Sequence, residues 1–316
     1  MKWRPGPQPT GQVLVGFINE EIIDTVMQKL DLSLVEYSNN DRILGIKLPK
    51  YLTEELAYFL GFHTGDGYMK VTRRKTAVDY RLQYEGHGIN ELKFYIDYLQ
   101  PLIKILFSKD SKVRKTKAGG VFIGFRSKAI LTFLNTCCGI CQSPKKEIKV
   151  PNIIKFSNLH IKACFIRGLA DTDFSLSFKK NGKYPVINHG TYSETLHKSV
   201  RNLLDDLGIG YFAATYQREL KGTQLTTHHI DINGKKRLRQ WMDQIGFSSY
   251  NSITRYLVWR HTGSLAPKTN INDRILILEK VGMKNIPGAP STRFESTNNI
   301  GNHIISGDLM VSSRKG

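Results

Sequence analysis

The chain has 316 residues and a formal net charge of +19, from 46 basic and 27 acidic side chains. That length allows two ordinary domains or one pseudo-symmetric unit, and that charge calls for a polyanionic partner, either nucleic acid or a membrane surface. No apolar run approaches the roughly 18 residues of a membrane span. Met1-Lys2-Trp3-Arg4-Pro5-Gly6 has no apolar core behind a basic end, so no secretory signal is read and an intracellular location, cytoplasm or nucleoid, is expected.

Residues 1–13 are rich in Pro and Gly and read as a loose arm. Residues 14–45 hold an amphipathic helix candidate, capped by Asn19, with Ile22, Ile23, Val26, Met27 and Leu30 on one side. Ile46-Lys47-Leu48-Pro49 then returns as Ile148-Lys149-Val150-Pro151, a period of about one hundred residues that suits a duplicated domain rather than a solenoid. Each copy leads into an apolar, helix-compatible run. The first ends in Phe59-Leu60-Gly61-Phe62-His63-Thr64-Gly65-Asp66-Gly67, the second in Ile166-Arg167-Gly168-Leu169-Ala170-Asp171-Thr172-Asp173-Phe174.

After Asp66 the chain alternates: Met69 and Val71 face a core while Lys70 and Arg73 face out, and a second strand covers Tyr80–Glu85. A helix over 91–107, strands over 112–117 and 121–125, and a helix over 128–138 follow. The second half repeats the order. Strands over 175–180 and 184–188 join through an Asn181-Gly182 hairpin turn, with a helix over 194–207, strands over 211–219 and 224–232, and a helix over 237–245. Each half thus reads αββαββα, an α+β class in which four antiparallel strands form a saddle with helices on one face. Helices over 250–258 and 273–281 complete the ordered chain, and beyond Gly282 the composition turns to Pro, Ser, Asn and Gly. The expected domains are an N-terminal arm and extension (1–45), two half-domains (46–147 and 148–282) and a loose tail (283–316). Cys138 and Cys141 have CxxC spacing, but Cys137 and Cys164 supply no second pair, so buried thiols are expected rather than zinc.

Leu56, Phe59, Leu60 and His63 share one helical face. Gly61 and Gly65 lie four apart, and Gly168 with Thr172 take their places in the second copy. Gly inside a helix is less favourable than Ala by about 1 kcal/mol, so its recurrence implies close approach of two helix backbones. Asp66 and Asp173 fall where the helices end. A carboxylate at that negative end is unfavourable by about 0.3–1 kcal/mol, and a divalent cation reverses the penalty. Hard oxygen ligands suit Mg²⁺ (or Mn²⁺) and metal-assisted phosphodiester hydrolysis. A plain Asp-Gly turn explains Asp66 alone, but not both copies in register.

Both stretches resemble the LAGLIDADG motif of homing endonucleases, and the resemblance covers about residues 46–282. It implies a monomer acting as its own pseudo-dimer on a long, partly asymmetric double-stranded DNA site. It further implies Mg²⁺-dependent cutting of both strands across the minor groove, leaving short 3′ overhangs, with Asp66 and Asp173 as the metal ligands. Asp171 matches Thr64, so the first copy lacks the family's first acid, and Phe174 replaces the second copy's closing glycine. Lys145 and Lys146 match a lysine position near the catalytic centre, where the second half carries Ser248, Ser249, Tyr250 and Asn251. His87 and Thr191 lie near a water-orienting position. Candidate DNA contacts on the open sheet faces are Lys70, Arg73, Arg81, Gln83, Lys112, Arg114 and Arg126 in the first half, with Lys179, Lys183, Gln217, Arg218, Gln224, Thr226 and His228 in the second. Met1 and the lack of a terminal His-Asn favour a free-standing, intron-encoded protein over an intein. An intron RNA maturase and a non-catalytic DNA-binding regulator are the alternative readings.

Overall fold

The computed structural model describes residues 28–144, 148–220 and 222–288. The predicted helix near Asn19 therefore lies largely outside the described residues. The short α1 (Asn39–Ile43) opens with a capping box between Ser38 and Asp41. Asp41 is fully buried, and it also accepts hydrogen bonds from the Ser127 hydroxyl and the Lys128 and Ala129 N–H groups. Residues near 40 are thereby fastened to the start of a helix near 130.

Helix α2 (Glu54–Asp66) starts where the Thr53 hydroxyl accepts the Leu56 N–H, with Glu54 and Glu55 in the first turn where the dipole favours acids. Then follow β1 (Gly67–Arg73), β2 (Val78–Gly86) and a long helix. That helix runs as α3 (Gly88–Phe94), a π-helical turn (Tyr95–Leu99) and α4 (Gln100–Phe107). Strands β3 (Val113–Lys115) and β4 (Val121–Arg126) and helix α5 (Lys128–Thr132), extended by a π-helical turn (Phe133–Cys137), close the first half.

The second half repeats this. A short α6 (Asn152–Lys155) leads to α7 (Leu159–Asp173), capped by Asn158, then β5 (Phe174–Phe178), β6 (Tyr184–Thr191) and α8 (Glu194–Asp206). Strands β7 (Phe212–Leu220) and β8 (Thr223–Asn233) and helix α9 (Lys235–Gln244) follow. The two sheets have the same antiparallel order, β1-β2-β4-β3 and β5-β6-β8-β7, which gives the α+β fold with two pseudo-symmetric halves. The β5–β6 connection is a tight left-handed turn, with Lys180, Asn181 and Gly182 all at positive φ.

Helices α10 (Tyr250–Thr262) and α11 (Ile271–Lys280) pack on one another and back onto the first half. The Ile271 N–H donates to the Asn90 side chain, and Tyr250 meets Phe94 edge to face. Ile286 is buried in the same core, so the described start of the expected tail is packed. No helix among the described residues is long and apolar enough to cross a membrane.

Candidate nucleic-acid interface and paired carboxylates

Helices α2 and α7 touch backbone to backbone. A Cβ on Gly61 would lie 2.0 Å from the Phe165 carbonyl oxygen, and one on Gly168 would lie 2.0 Å from that of Tyr58. The two contacts are related by the approximate two-fold axis, and neither leaves room for a methyl group. One turn further on, a Cβ on Gly65 would lie 1.9 Å from Thr172 Oγ1 and 3.2 Å from the Asp173 carboxyl carbon. The Thr172 hydroxyl folds back to donate to the Leu169 carbonyl. Asp173 therefore sits over the residue before Asp66, and the two acids end neighbouring helices side by side. Asp66 is exposed and Asp173 half-buried. The negative field there reaches Tyr95, whose phenol is held well above its ordinary value, by burial first and then by the charges of Asp66 and Glu91. Two oxygen donors at convergent helix C-termini fit a hard divalent cation.

The halves differ one turn back. Asp171 accepts the Ser248 and Ser249 N–H groups, so it caps α10, and it takes the Tyr58 hydroxyl of α2 at 2.7 Å. Burial pushes its carboxyl up to about 6, against the pull of these bonds and of Arg167. Thr64, its counterpart, is buried and donates to the Leu60 carbonyl. Ser248, Ser249 and Tyr250 are thus a buried helix start held by Asp171. Lys145 and Lys146 lie outside the described residues. His87 is an exposed residue at the start of α3, and Thr191 ends β6 and accepts the Ser193 N–H.

On the first sheet Leu82 and Tyr84 face the helices, so their neighbours Arg81 and Gln83 face out. The register aligns Lys70, Arg81 and Arg126 in one row across three strands, with Gln83 opposite Tyr68. Arg114 shares that face and pairs with Phe122, while Arg73 ends β1 and Lys112 precedes β3, both exposed. Asp79, unremarked in the sequence, stands on the same face and binds both Arg81 (2.8 Å) and Arg126 (2.6 Å). Its position one step before Arg81 in the β2 alternation was the available signal.

The second sheet corrects the expected set. Gln224, Thr226 and His228 share the register of Ile230 and Ile232, which face the core, and Gln217 pairs with Thr226 on that same side. His228 packs against His197 of α8 and bonds Thr215. The open face instead carries Ser175, Asn188, His229, Asp231, Thr227 and Tyr216. A one-residue shift turns every side chain over. Gln217, Gln224 and Thr226 remain exposed. Arg218 pairs with Leu225 in the β7–β8 register. Lys179 and Lys183 are exposed at the β5–β6 turn.

Residues 160–246 match the family model of a LAGLIDADG-like domain. Residues 54–137 repeat the order of elements and strands of that domain, so the second half carries a LAGLIDADG-like domain and the first half repeats its topology. A DNA polymerase of Methanocaldococcus jannaschii is 25% identical over 182 residues, 58% of this chain and 10% of that protein. A glutamine–fructose-6-phosphate aminotransferase of the same organism is 20% identical over 210 residues, 66% of this chain and 18% of that protein. The chain thus matches less than a fifth of the length of either relative. Among solved structures, I-DmoI in complex with DNA and Mn is 19% identical, with a TM-score of 0.44 over 62% of this chain and 97% of that one. The LAGLIDADG homing endonuclease I-LtrWI bound to target DNA is 12% identical, with a TM-score of 0.40 over 74% of this chain and 98% of that one.

Proposed function

We propose that the chain is a site-specific DNA endonuclease that acts as a monomer and hydrolyses both strands of a duplex. The observation that carries this reading is the side-by-side ending of α2 and α7 in Asp66 and Asp173, fixed by glycine contacts that admit no Cβ. Those two carboxylates would hold Mg²⁺ or Mn²⁺, which when bound supplies a Lewis acid and an activated water for phosphodiester hydrolysis. The protein's own part is to hold the duplex in register. The Lys70–Arg81–Arg126 row and Arg114 engage phosphates and guanine edges from one sheet. Asn188, Tyr216 and His229 serve the other sheet, and the unlike faces suit an asymmetric site. The two relatives carry names of unrelated activities, yet each matches more than half of this chain over less than a fifth of its own length, which supports a portable module. An intron-encoded protein that leaves short 3′ overhangs is the form of this activity we favour.

The test is incubation with a duplex of the gene's own flanking exons, joined without the intron, with and without Mg²⁺. Metal-dependent cutting at the junction is expected. Asp66→Asn and Asp173→Asn should each lower double-strand cutting by at least a hundredfold while binding stays within a few-fold of wild type. Full cutting by either variant overturns the assignment, and tight binding to the intron transcript without DNA cutting would shift it to RNA.

A further inference from the structure

At the opposite end of the same helix pair lies a second group of metal-ligating side chains. Glu54 begins α2, and His160 and Cys164 lie four apart on α7, on one face. Their ligand atoms all fall within 4.8 Å of one another. His160 Nε2 is 2.7 Å from Glu54 Oε1, with both side chains about half exposed, while Cys164 is buried beneath them. A cavity of about 360 Å³ opens beside Glu54 and His160, rimmed by Thr53, Ser157 and Asn158. Helical rise puts Glu54 about 18 Å from Asp66, too far for one ion to serve both ends.

We infer that Glu54, His160 and Cys164 form a site for a thiophilic divalent ion of the zinc class, joining the starts of the two interface helices. The donor set decides the class. A thiolate and an imidazole with one carboxylate favour zinc over Mg²⁺, which takes oxygen donors. Zinc bonds of about 2.0–2.3 Å in a tetrahedron place ligand atoms about 3.3–3.6 Å apart. The Glu54–His160 pair must open by under about 1 Å to admit the ion, and half-exposed side chains at a cavity mouth are free to do so. Three protein ligands leave the fourth position to water from the cavity. Because Glu54 belongs to one half and His160 and Cys164 to the other, the ion would cross-link the halves away from the paired carboxylates. A simple Glu54–His160 ion pair accounts for the 2.7 Å contact but not for the thiol placed within reach of both.

The full chain, stripped with chelator, would be titrated with Co²⁺ while thiolate-to-cobalt absorption in the near ultraviolet is followed, then with Zn²⁺ in competition. One equivalent of Co²⁺ should produce the band, Zn²⁺ should remove it, and millimolar Mg²⁺ should not. Cys164→Ser should abolish the band. Glu54→Gln and His160→Ala should weaken binding at least tenfold, and a Cys137/Cys138/Cys141 triple serine variant should retain the band. At the same zinc concentration the melting temperature should rise more in the wild type than in Glu54→Gln. This readout needs no DNA and is separate from the nuclease reading. His160→Ala removes only a half-exposed side chain, so it keeps the test open should Cys164→Ser fail to fold. Absence of the band at stoichiometric Co²⁺, or its persistence in Cys164→Ser, overturns the site.

Discussion

Asp79 holds two guanidinium groups at once, and this decides how the first sheet presents its charge. Burial alone would raise its carboxyl, but the bonds and charges of Arg126 and Arg81 carry it below the usual carboxylate range. Ion pairs whose arginines reach solvent at the sheet surface contribute little to stability, so the consequence lies in orientation. Both arginines are fixed in a row with Lys70 instead of sweeping the surface. Asp79→Asn should therefore leave stability within about 0.5 kcal/mol. It should strengthen binding to arbitrary duplex at low salt, since a negative charge leaves the phosphate-facing surface, and steepen the salt dependence. The ratio of target to arbitrary-duplex affinity should fall by about tenfold. Titrations at two salt concentrations with target and scrambled duplexes read all three, and an unchanged ratio would show that Asp79 does not orient the pair.

The interface helices show how a close approach is made irreversible by a single atom. Gly168→Ala would drive a methyl group to 2.0 Å from the Tyr58 carbonyl oxygen, a backbone atom that cannot swing aside. A loss of about 3 kcal/mol or more is expected in urea denaturation, with Gly61→Ala matching it. By contrast Ala at Gly119, which meets nothing within 4 Å but has φ +84, should show only the smaller backbone strain. This pair of helices was legible in the sequence, because glycine spacing and a closing aspartate recur together. So was the outward face of β2, where Leu82 and Tyr84 set the phase of the alternation. The face of β8 was not. In Gln224-Leu225-Thr226-Thr227-His228-His229 the one apolar side chain, Leu225, lies on the parity opposite to Ile230 and Ile232, so a period of two has no consistent phase there until those two residues supply one downstream. Asp41 was equally hidden, since its partners Ser127, Lys128 and Ala129 are far along the chain. The unread phase of β8 conceals a histidine cluster. His189 of β6 is buried and stacked on Phe174 at 4.5 Å, with both ring nitrogens lacking a hydrogen-bond partner among the described residues. Burial, then His197 and His229, press it down to about 4, and burial with His228 and Arg201 does the same to His197. Folded values below the unfolded one mean that this stability is complete above about pH 6.5 and is lost as pH falls through about 4. Denaturation midpoints should drop across that window, and His189→Leu should flatten the drop. An equal drop in the variant would assign it elsewhere.

The two copies form one folding unit even though the sequence reads as a repeat. One buried cluster runs from Leu30 to Ile286 across both halves. The contacts that cross between them include buried polar ones. The Tyr58 hydroxyl reaches Asp171, and Asp171 in turn holds the start of α10. Helix α10 meets α3 through Tyr250 and Phe94, while fully buried Arg274 of α11 bonds Thr254, Asn251 and the Thr269 carbonyl, locking α11 against α10. The Ile271 N–H then ties that pair to Asn90. A second half cut loose would expose the α7 face around Phe165, Ile166 and Leu169 and leave the Tyr58 bond to Asp171 unmade. Neither half therefore holds a separate core, and unfolding should be a single cooperative transition. Trp241 is buried in the second half against Phe174 and Phe247, and Trp259 lies in α10, so among the described residues both indoles report on the C-terminal side. Far-ultraviolet circular dichroism reports on both halves together. Urea midpoints from fluorescence and from circular dichroism should coincide, and residues 148–316 expressed alone should show no cooperative transition. A biphasic dichroism curve whose second-half component follows tryptophan emission would mean that the halves fold independently and that the shared helix pair is a docked interface between two domains.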